Sequence, residues 1–132
     1  MSGVEIIRIL LVDDVEIVRH TLRTTLSANP RFAIVGEACD GEEALAWVQR
    51  CEPTVVVMDI QMPRLNGIQA TTLIKRFFPH VIVMGLSVHA SEDMRQEMIT
   101  AGATSVLTKD YAGVRLHEEI MKAVEDRSTM RL

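Results

Sequence analysis

The chain has 132 residues, enough for one domain with a substantial core, and its 48% hydrophobic and 24% charged residues exclude a disordered or collagen-like polymer. Its apolar runs, such as Ile9 to Val12 and Val55 to Met58, are too short to cross a bilayer, and the opening MSGVEIIRILLVDD lacks the basic stretch of a secretory leader. A net charge of −4 offers no surplus of cations to displace phosphate counterions, which argues against nonspecific nucleic-acid binding.

Segments of strand character alternate with segments of helical period. Ile6 to Val12 is β-branched and almost continuously apolar, as a strand covered on both faces should be. From Val15 the spacing changes, and Val15, Val18, Leu22 and Leu26 share one face of a helix that Asn29-Pro30 stops. Phe32 to Ala38 reads as a second strand, and Gly41 to Arg50 as a helix burying Ala44, Leu45 and Val48. Thr54 to Met58 carries the strongest strand signal in the chain. A helix is expected after Asn66-Gly67, with Ile68, Thr71, Ile74 and Phe78 inward. Val81 to Gly85 is the fourth strand, Ser91 to Ala101 a helix closed by Gly102, and Ser105 to Leu107 a short fifth strand. Leu116, Ile120 and Ala123 mark the last helix, whose end (DRSTMRL) reads as fraying. Five βα units in this order predict a doubly wound parallel sheet with helices on both faces. No repeat or linker interrupts it, so residues 1–132 read as one domain with a core over about 6–126 and no output domain.

In such a sheet ligands bind beyond the carboxyl ends of the strands. The first strand ends in Asp13-Asp14, the third in Asp59, the fourth in Ser87 and the fifth in Lys109. Three carboxylates crowded together repel each other, and a hard dication relieves that repulsion. Mg²⁺ takes oxygen ligands and is held by one or two carboxylates with positions left open for phosphate. A carboxylate can itself be the nucleophile and form an aspartyl phosphate, a transfer that needs chiefly positioning and charge neutralisation. Singly, each residue has a bland reading: either aspartate of Asp13-Asp14 as a helix cap, Asp59 as a loop carboxylate, Lys109 as a surface lysine. Their joint occurrence at four strand ends reverses those readings.

The stretches LLVDD, MDIQMPRLNG and AGATSVLTKD, with Ser87 after an apolar strand, resemble the response-regulator receiver domains of two-component signalling, over Ile9 to about Val124. IVGEACDGEEAL and Lys109-Asp110 resemble most the branch that often carries a C-terminal LuxR-type helix-turn-helix domain. The resemblance implies a flavodoxin-like (βα)5 fold with strand order 2-1-3-4-5, an order that comes from the family and not from the spacing of these residues. It implies Asp59 as phosphoacceptor and Mg²⁺ on Asp14, on Asp13 largely through water, on Asp59 and on the backbone carbonyl of Gln61. Lys109 would pair with the phosphoryl group, and Ser87 would swing toward it and shift the surface around the fourth helix and fifth strand. The implied partners are a sensor histidine kinase or phosphotransfer protein, and a second copy of the chain through the last helices. The implied setting is a cytoplasmic transcription regulator's input domain or a stand-alone receiver. Cys39 and Cys51, too few for a disulfide framework, suit that reducing compartment.

Departures from the family are expected to matter. Val106 stands where relatives carry an aromatic residue, and a valine is too small and too stiff to act as the same rotamer switch. Val88, at a position commonly small, would narrow access to Asp59. Lys109-Asp110 replaces Lys-Pro, leaving the peptide isomer open, since a non-proline cis bond costs about 3–4 kcal/mol. Gln61 and His89 sit where relatives tune the lifetime of the phosphate. His20, His80, His89 and His117 lack metal-ligand spacing and are expected in solvent, and Trp47 reads as packing. The eight methionines read as mostly core or helix-face filler, with Met94 and Met98 as candidates for part of a soft partner surface. Two other functions compete. A haloacid-dehalogenase-type phosphatase also uses an Asp nucleophile, but has a second Asp where Gln61 stands; a pseudo-receiver would keep the fold for binding alone.

Overall fold

The computed structural model describes residues 5–89, 91–109 and 112–130. Five strands and five helices alternate: β1 (Ile7–Val12), α1 (Glu16–Leu26), β2 (Phe32–Ala38), α2 (Gly41–Cys51), β3 (Val55–Asp59), α3 (Gly67–Phe77), β4 (Ile82–Ser87), α4 (Glu92–Ala101), β5 (Ser105–Thr108) and α5 (Ala112–Met130). All strand pairings are parallel and the order is β2-β1-β3-β4-β5, as the resemblance implies.

The unbroken apolar runs of β1 and β3 follow from two cores on opposite faces of one sheet. Side chains alternate along a strand, so Ile9, Leu11, Val55 and Val57 enter one core while Leu10, Val12, Val56 and Met58 enter the other. The first core is closed by Leu22 and Leu26 of α1 and by Leu116, Ile120 and Val124 of α5. The second is closed by Ala44 and Val48 of α2, Ala70 and Ile74 of α3, and Met98 of α4. Helix ends are signalled locally. Asn66 and Gln69 form a reciprocal capping box at the start of α3, Ser91 caps α4, and Gly102 closes α4 at φ 123°, a conformation that favours glycine.

Gly67 ties the fold to the site. A Cβ at this position would stand 2.1 Å from the carbonyl oxygen of Asp59 and 2.8 Å from the Cα of Ile60, both backbone atoms that cannot swing away. Helix α3 therefore starts in contact with the end of β3, and the Gly67 amide donates to the Ile60 carbonyl at 2.9 Å. We expect Gly67→Ala to cost about 3 kcal/mol, the upper range for overpacking, and chemical denaturation will show it. No cost, or the gain of up to about 1 kcal/mol that Gly→Ala brings in an unobstructed helix, would mean that the junction yields.

Several expected placements are revised. Val15 does not join the inner face of α1: it is the N-cap, extended at φ −105°, and is 43% exposed. Leu45, Ile68 and Phe78 pack at the margins of the second core and are only partly buried. Met98 is fully buried, its sulfur accepting from Thr71 Oγ1 at 3.7 Å, so it belongs to the core and not to a partner surface. His117 is only partly exposed; it packs on the Phe32 ring and shares a 2.7 Å hydrogen bond with Asn29. Trp47 does serve packing, with its ring within 2.7 Å of where a Gly36 Cβ would lie. Cys39 and Cys51 are free thiols. Among the described residues no helix is long and apolar enough to cross a membrane. Asp110 and Tyr111 lie outside the described residues, and with them the Lys109-Asp110 peptide.

Candidate functional site

The parallel strands all deliver their carboxyl ends to one edge of the sheet, and the residues picked out by position arrive there together. Asp13 follows β1, Asp59 ends β3, Ser87 ends β4, and Lys109 directly follows β5. Carboxylate oxygens of Asp13, Asp14 and Asp59 all lie within 4.8 Å of one another. Asp13 and Asp59 are buried, whereas Asp14 is exposed at the mouth.

Each charged side chain is fixed by named contacts. Asp13 Oδ1 accepts from the Val15 amide at 2.9 Å. Its other oxygen, Oδ2, faces Lys109 Nζ at 2.7 Å; the distance is that of an ion pair, but the approach lacks hydrogen-bond alignment, and the oxygen is buried without another donor among the described residues. Asp59 Oδ1 accepts from the Gln61 amide at 3.2 Å, and Asp59 Oδ2 stands 3.4 Å from Lys109 Nζ. One ammonium thus serves two buried carboxylates. Ser87 Oγ is buried and finds no hydrogen-bond partner among the described residues, an unusual state for a hydroxyl.

Burial, and next the charge of Asp13, push the Asp59 carboxyl up to about 6, against the opposing pull of Lys109 and the Gln61 amide. Burial alone would lower the Lys109 ammonium, but the adjacent carboxylates of Asp13 and Asp59 outweigh it and hold it above its ordinary value. The site is therefore short of positive charge. An all-oxygen donor set in which two buried carboxylates share a single ammonium suits a hard dication such as Mg²⁺.

The remaining expected residues sit around this centre. Gln61 is exposed, and its side-chain amide approaches Met94 Sδ at 3.9 Å. His89 is exposed, and Val88 is 62% exposed beside Ser87. Val106 is buried in the second core, with Cγ2 3.3 Å from where a Gly85 Cβ would lie, and its carbonyl accepts from Arg95 Nη1 at 2.8 Å.

Two arginine contacts were not foreseen. Arg64, in the left-handed region at φ 61°, pairs with the buried Asp40 at 3.1 Å, while the Gly41 amide donates to the Leu65 carbonyl at 3.0 Å. The loop that carries Gln61 is thereby fastened to the start of α2. Arg19 of α1 reaches both Glu37 of β2, at 2.9 Å, and the backbone carbonyl of Asp13, at 2.6 Å. The available signals were slight: Asp40-Gly41 with Glu43 three residues on, and two arginines one turn apart on α1.

A parallel (βα)5 sheet with an acidic trio, a lysine and a buried hydroxyl gathered at its carboxyl edge defines a receiver module. The chain belongs to the response regulator receiver domain family, whose pattern matches residues 9–121. It is 33% identical over 114 residues to the transcriptional regulatory protein DegU of Brevibacillus brevis, covering 86% of this chain and 48% of that protein. It is 41% identical to a protein-glutamate methylesterase/protein-glutamine glutaminase of Pyrococcus abyssi, covering 88% of this chain and 32% of that one. The two-component response regulator of the LuxR family from Aurantimonas sp. SI85-9A1 superposes with a TM-score of 0.88 at 31% identity, covering 93% of this chain and 88% of that structure. The chain spans about half the length of the first of these relatives and about a third of the second.

Proposed function

We propose that the chain is a phosphorylation-controlled switch, taking a phosphoryl group on Asp59 from a histidine kinase or phosphotransfer protein. The observation that carries this reading is the convergence of three carboxylates, one shared ammonium and one unpartnered hydroxyl at the carboxyl edge of the sheet. Asp13, Asp14, Asp59 and the Gln61 carbonyl would hold Mg²⁺, which when bound supplies positive charge for the phosphoryl oxygens. An oxygen of Asp59 forms the new bond to phosphorus as the bond to the donor nitrogen breaks, and the donor's imidazole keeps that electron pair. Ionised Asp59 is the competent nucleophile, so the carboxyl must be free of its proton before attack. Lys109 pairs with the transferred group, and Ser87 turns its unused hydroxyl toward it. With Val106 in place of an aromatic, the movement of Ser87 passes to α4 and β5 through backbone and loop displacement.

The chemistry is self-phosphorylation and slow self-dephosphorylation and not turnover of a separate substrate. Output is a change of partner or homodimerisation, in a cytoplasmic transcription regulator's input domain or a stand-alone receiver of one domain, residues 1–132. Direct nucleic-acid binding and membrane attachment are not assigned to this chain.

The test is intact-protein mass after incubation with acetyl phosphate. A Mg²⁺-dependent gain of one phosphoryl group, absent from Asp59→Ala, is the expected result. No gain from acetyl phosphate or a phosphorylated kinase would leave the pseudo-receiver reading, with Val88 the first residue to replace. The same measurement followed in time reads the lifetime, which Gln61→Ala and His89→Ala should change; decay equal to the parent in both would remove them from that role.

A further inference from the structure

The turn between β1 and α1 is built from Asp13 and Asp14, two adjacent residues that leave the sheet and enter a helix with no side-chain cap. Val15, the N-cap, provides no side-chain hydrogen bond. The turn must therefore be held by something else. On one side the Asp13 amide donates to the Ala38 carbonyl at 3.0 Å, which pins it to the end of β2. On the other side the Asp13 carbonyl receives Arg19 Nη1 at 2.6 Å. That carbonyl lies before the helix and outside its hydrogen-bond ladder.

Arg19 is itself restrained. Its Nε donates to Glu37 Oε1 at 2.9 Å, and Glu37 Oε2 accepts from Arg23 Nε at 2.7 Å. Glu37 lies inside β2, paired with Leu11 of β1. Burial would raise this carboxyl, but the two arginines overcome that and hold it below its ordinary value. The Arg19 side chain is only 15% exposed, so it is a packed strut with few alternative rotamers. A rigid chain of contacts therefore runs from strand β2 through Glu37 and Arg19 to the peptide of Asp13. Arg23 shares the carboxylate but makes no hydrogen bond or ion pair to the turn among the described residues.

We infer that Arg19 is a positioning residue for the metal site: anchored by Glu37, it fixes the Asp13 carbonyl and thereby aims the carboxylates of Asp13 and Asp14. The inference rests on the metal reading of those carboxylates. It also makes a prediction about the metal-free turn. With the strut removed, the Asp13–Val15 turn loosens, and the Val15 amide exchanges faster because its acceptor, Asp13 Oδ1, is no longer held in place.

The experiment compares Arg19→Met with Arg23→Met in the full chain. Methionine keeps much of the aliphatic stem and removes the fork, and each variant strips one cation from Glu37. Mg²⁺ affinity is measured by titration calorimetry, amide hydrogen exchange is followed in chelator, and melting temperature reports the general loss of stability. The expected result is a fall in Mg²⁺ affinity of about tenfold in Arg19→Met, the lower range for residues that orient metal ligands. Val15 exchange should quicken in the same variant, with both readouts near the parent in Arg23→Met. Equal Mg²⁺ affinity and equal Val15 exchange in the two variants would overturn the inference, whatever their melting temperatures. If the parent bound no Mg²⁺, the metal reading itself would fail, and the positioning of the carboxylates toward metal would fall with it. Retained binding in the parent with an unchanged Arg19→Met would sink the role of Arg19 alone.

Discussion

Asp59→Asn should stabilise the metal-free protein at pH 7.5 by on the order of 3 kcal/mol, the free-energy equivalent of lifting a carboxyl from 3.8 to about 6. The amide keeps the shape of the carboxylate and abolishes the charge that burial and Asp13 oppose. The sign follows from proton binding. Between about pH 4 and pH 6 folded Asp59 holds more proton than the unfolded chain, so the parent loses stability as pH rises through that window. The variant has no such term. The advantage of Asn should therefore be small near pH 4, grow through pH 6 and level off above it. Urea denaturation in chelator across pH 4 to 8 measures the difference. Added Mg²⁺ should stabilise the parent more than the variant and narrow the gap. A difference that is flat with pH would show that the buried charge is not its source.

Lys109→Met should have an effect of similar size in the opposite direction. The ammonium stands between two buried carboxylates, 2.7 Å from Asp13 and 3.4 Å from Asp59. Removing one partner from a buried ionic group leaves uncompensated charge, at a cost of about 3 kcal/mol in metal-free protein near neutral pH. The Asp59 carboxyl should climb further above its already raised value, because the opposing cation is gone. The cost should shrink by about 1 kcal/mol or more in the Asp59→Asn background, where a single carboxylate remains to be balanced. A double-mutant cycle by urea denaturation reads this coupling directly. Strictly additive effects would mean that Lys109 stabilises the fold through its stem and not through its charge.

The fold was legible because the strands are doubly buried and the helices amphipathic, two periodicities that local sequence carries by itself. Phe32–Ala38 appears at the expected bounds, and the other elements shift by a residue or two except the last helix, for which only an inward face had been read. The site was legible for a related reason: in a parallel sheet, position at a strand's carboxyl end is nearly position in space. Asp13, Asp59, Ser87 and Lys109 needed no further information to be grouped. What escaped were contacts made across the fold by long side chains. Arg19 and Glu37 are eighteen residues apart, and Arg64 meets Asp40 from a different loop. Nothing in local spacing distinguishes these arginines from solvated ones. Val15 misled because a capping position and an inward helical position look alike until the first helical turn is fixed. Met98 was open between core and partner surface, and His117 was expected in solvent for want of metal-ligand spacing. The packing of α4 on the sheet buries Met98, and that of α5 on Phe32 partly covers His117.

Strand β5 has four residues and is hydrogen-bonded to a single neighbour, β4. Edge segments with few buried contacts open at lower free energy than the strands at the middle of a sheet. The acidic groups and the hydroxyl are borne by β1, β3 and β4, each flanked by strands on both sides. Lys109 alone hangs from the margin. The counter-ion is thus mounted on the edge strand, the part of the frame that opens most readily, and the two buried carboxylates on its interior strands. Detachment of β5 would leave Asp13 and Asp59 without their shared cation, the state that the proposed divalent ion would meet on entering past the exposed Asp14. On the proposed reading, a metal ion and the Lys109 ammonium compete for the same two carboxylates, and the rate at which the site would charge with metal becomes a property of the weakest strand of the sheet.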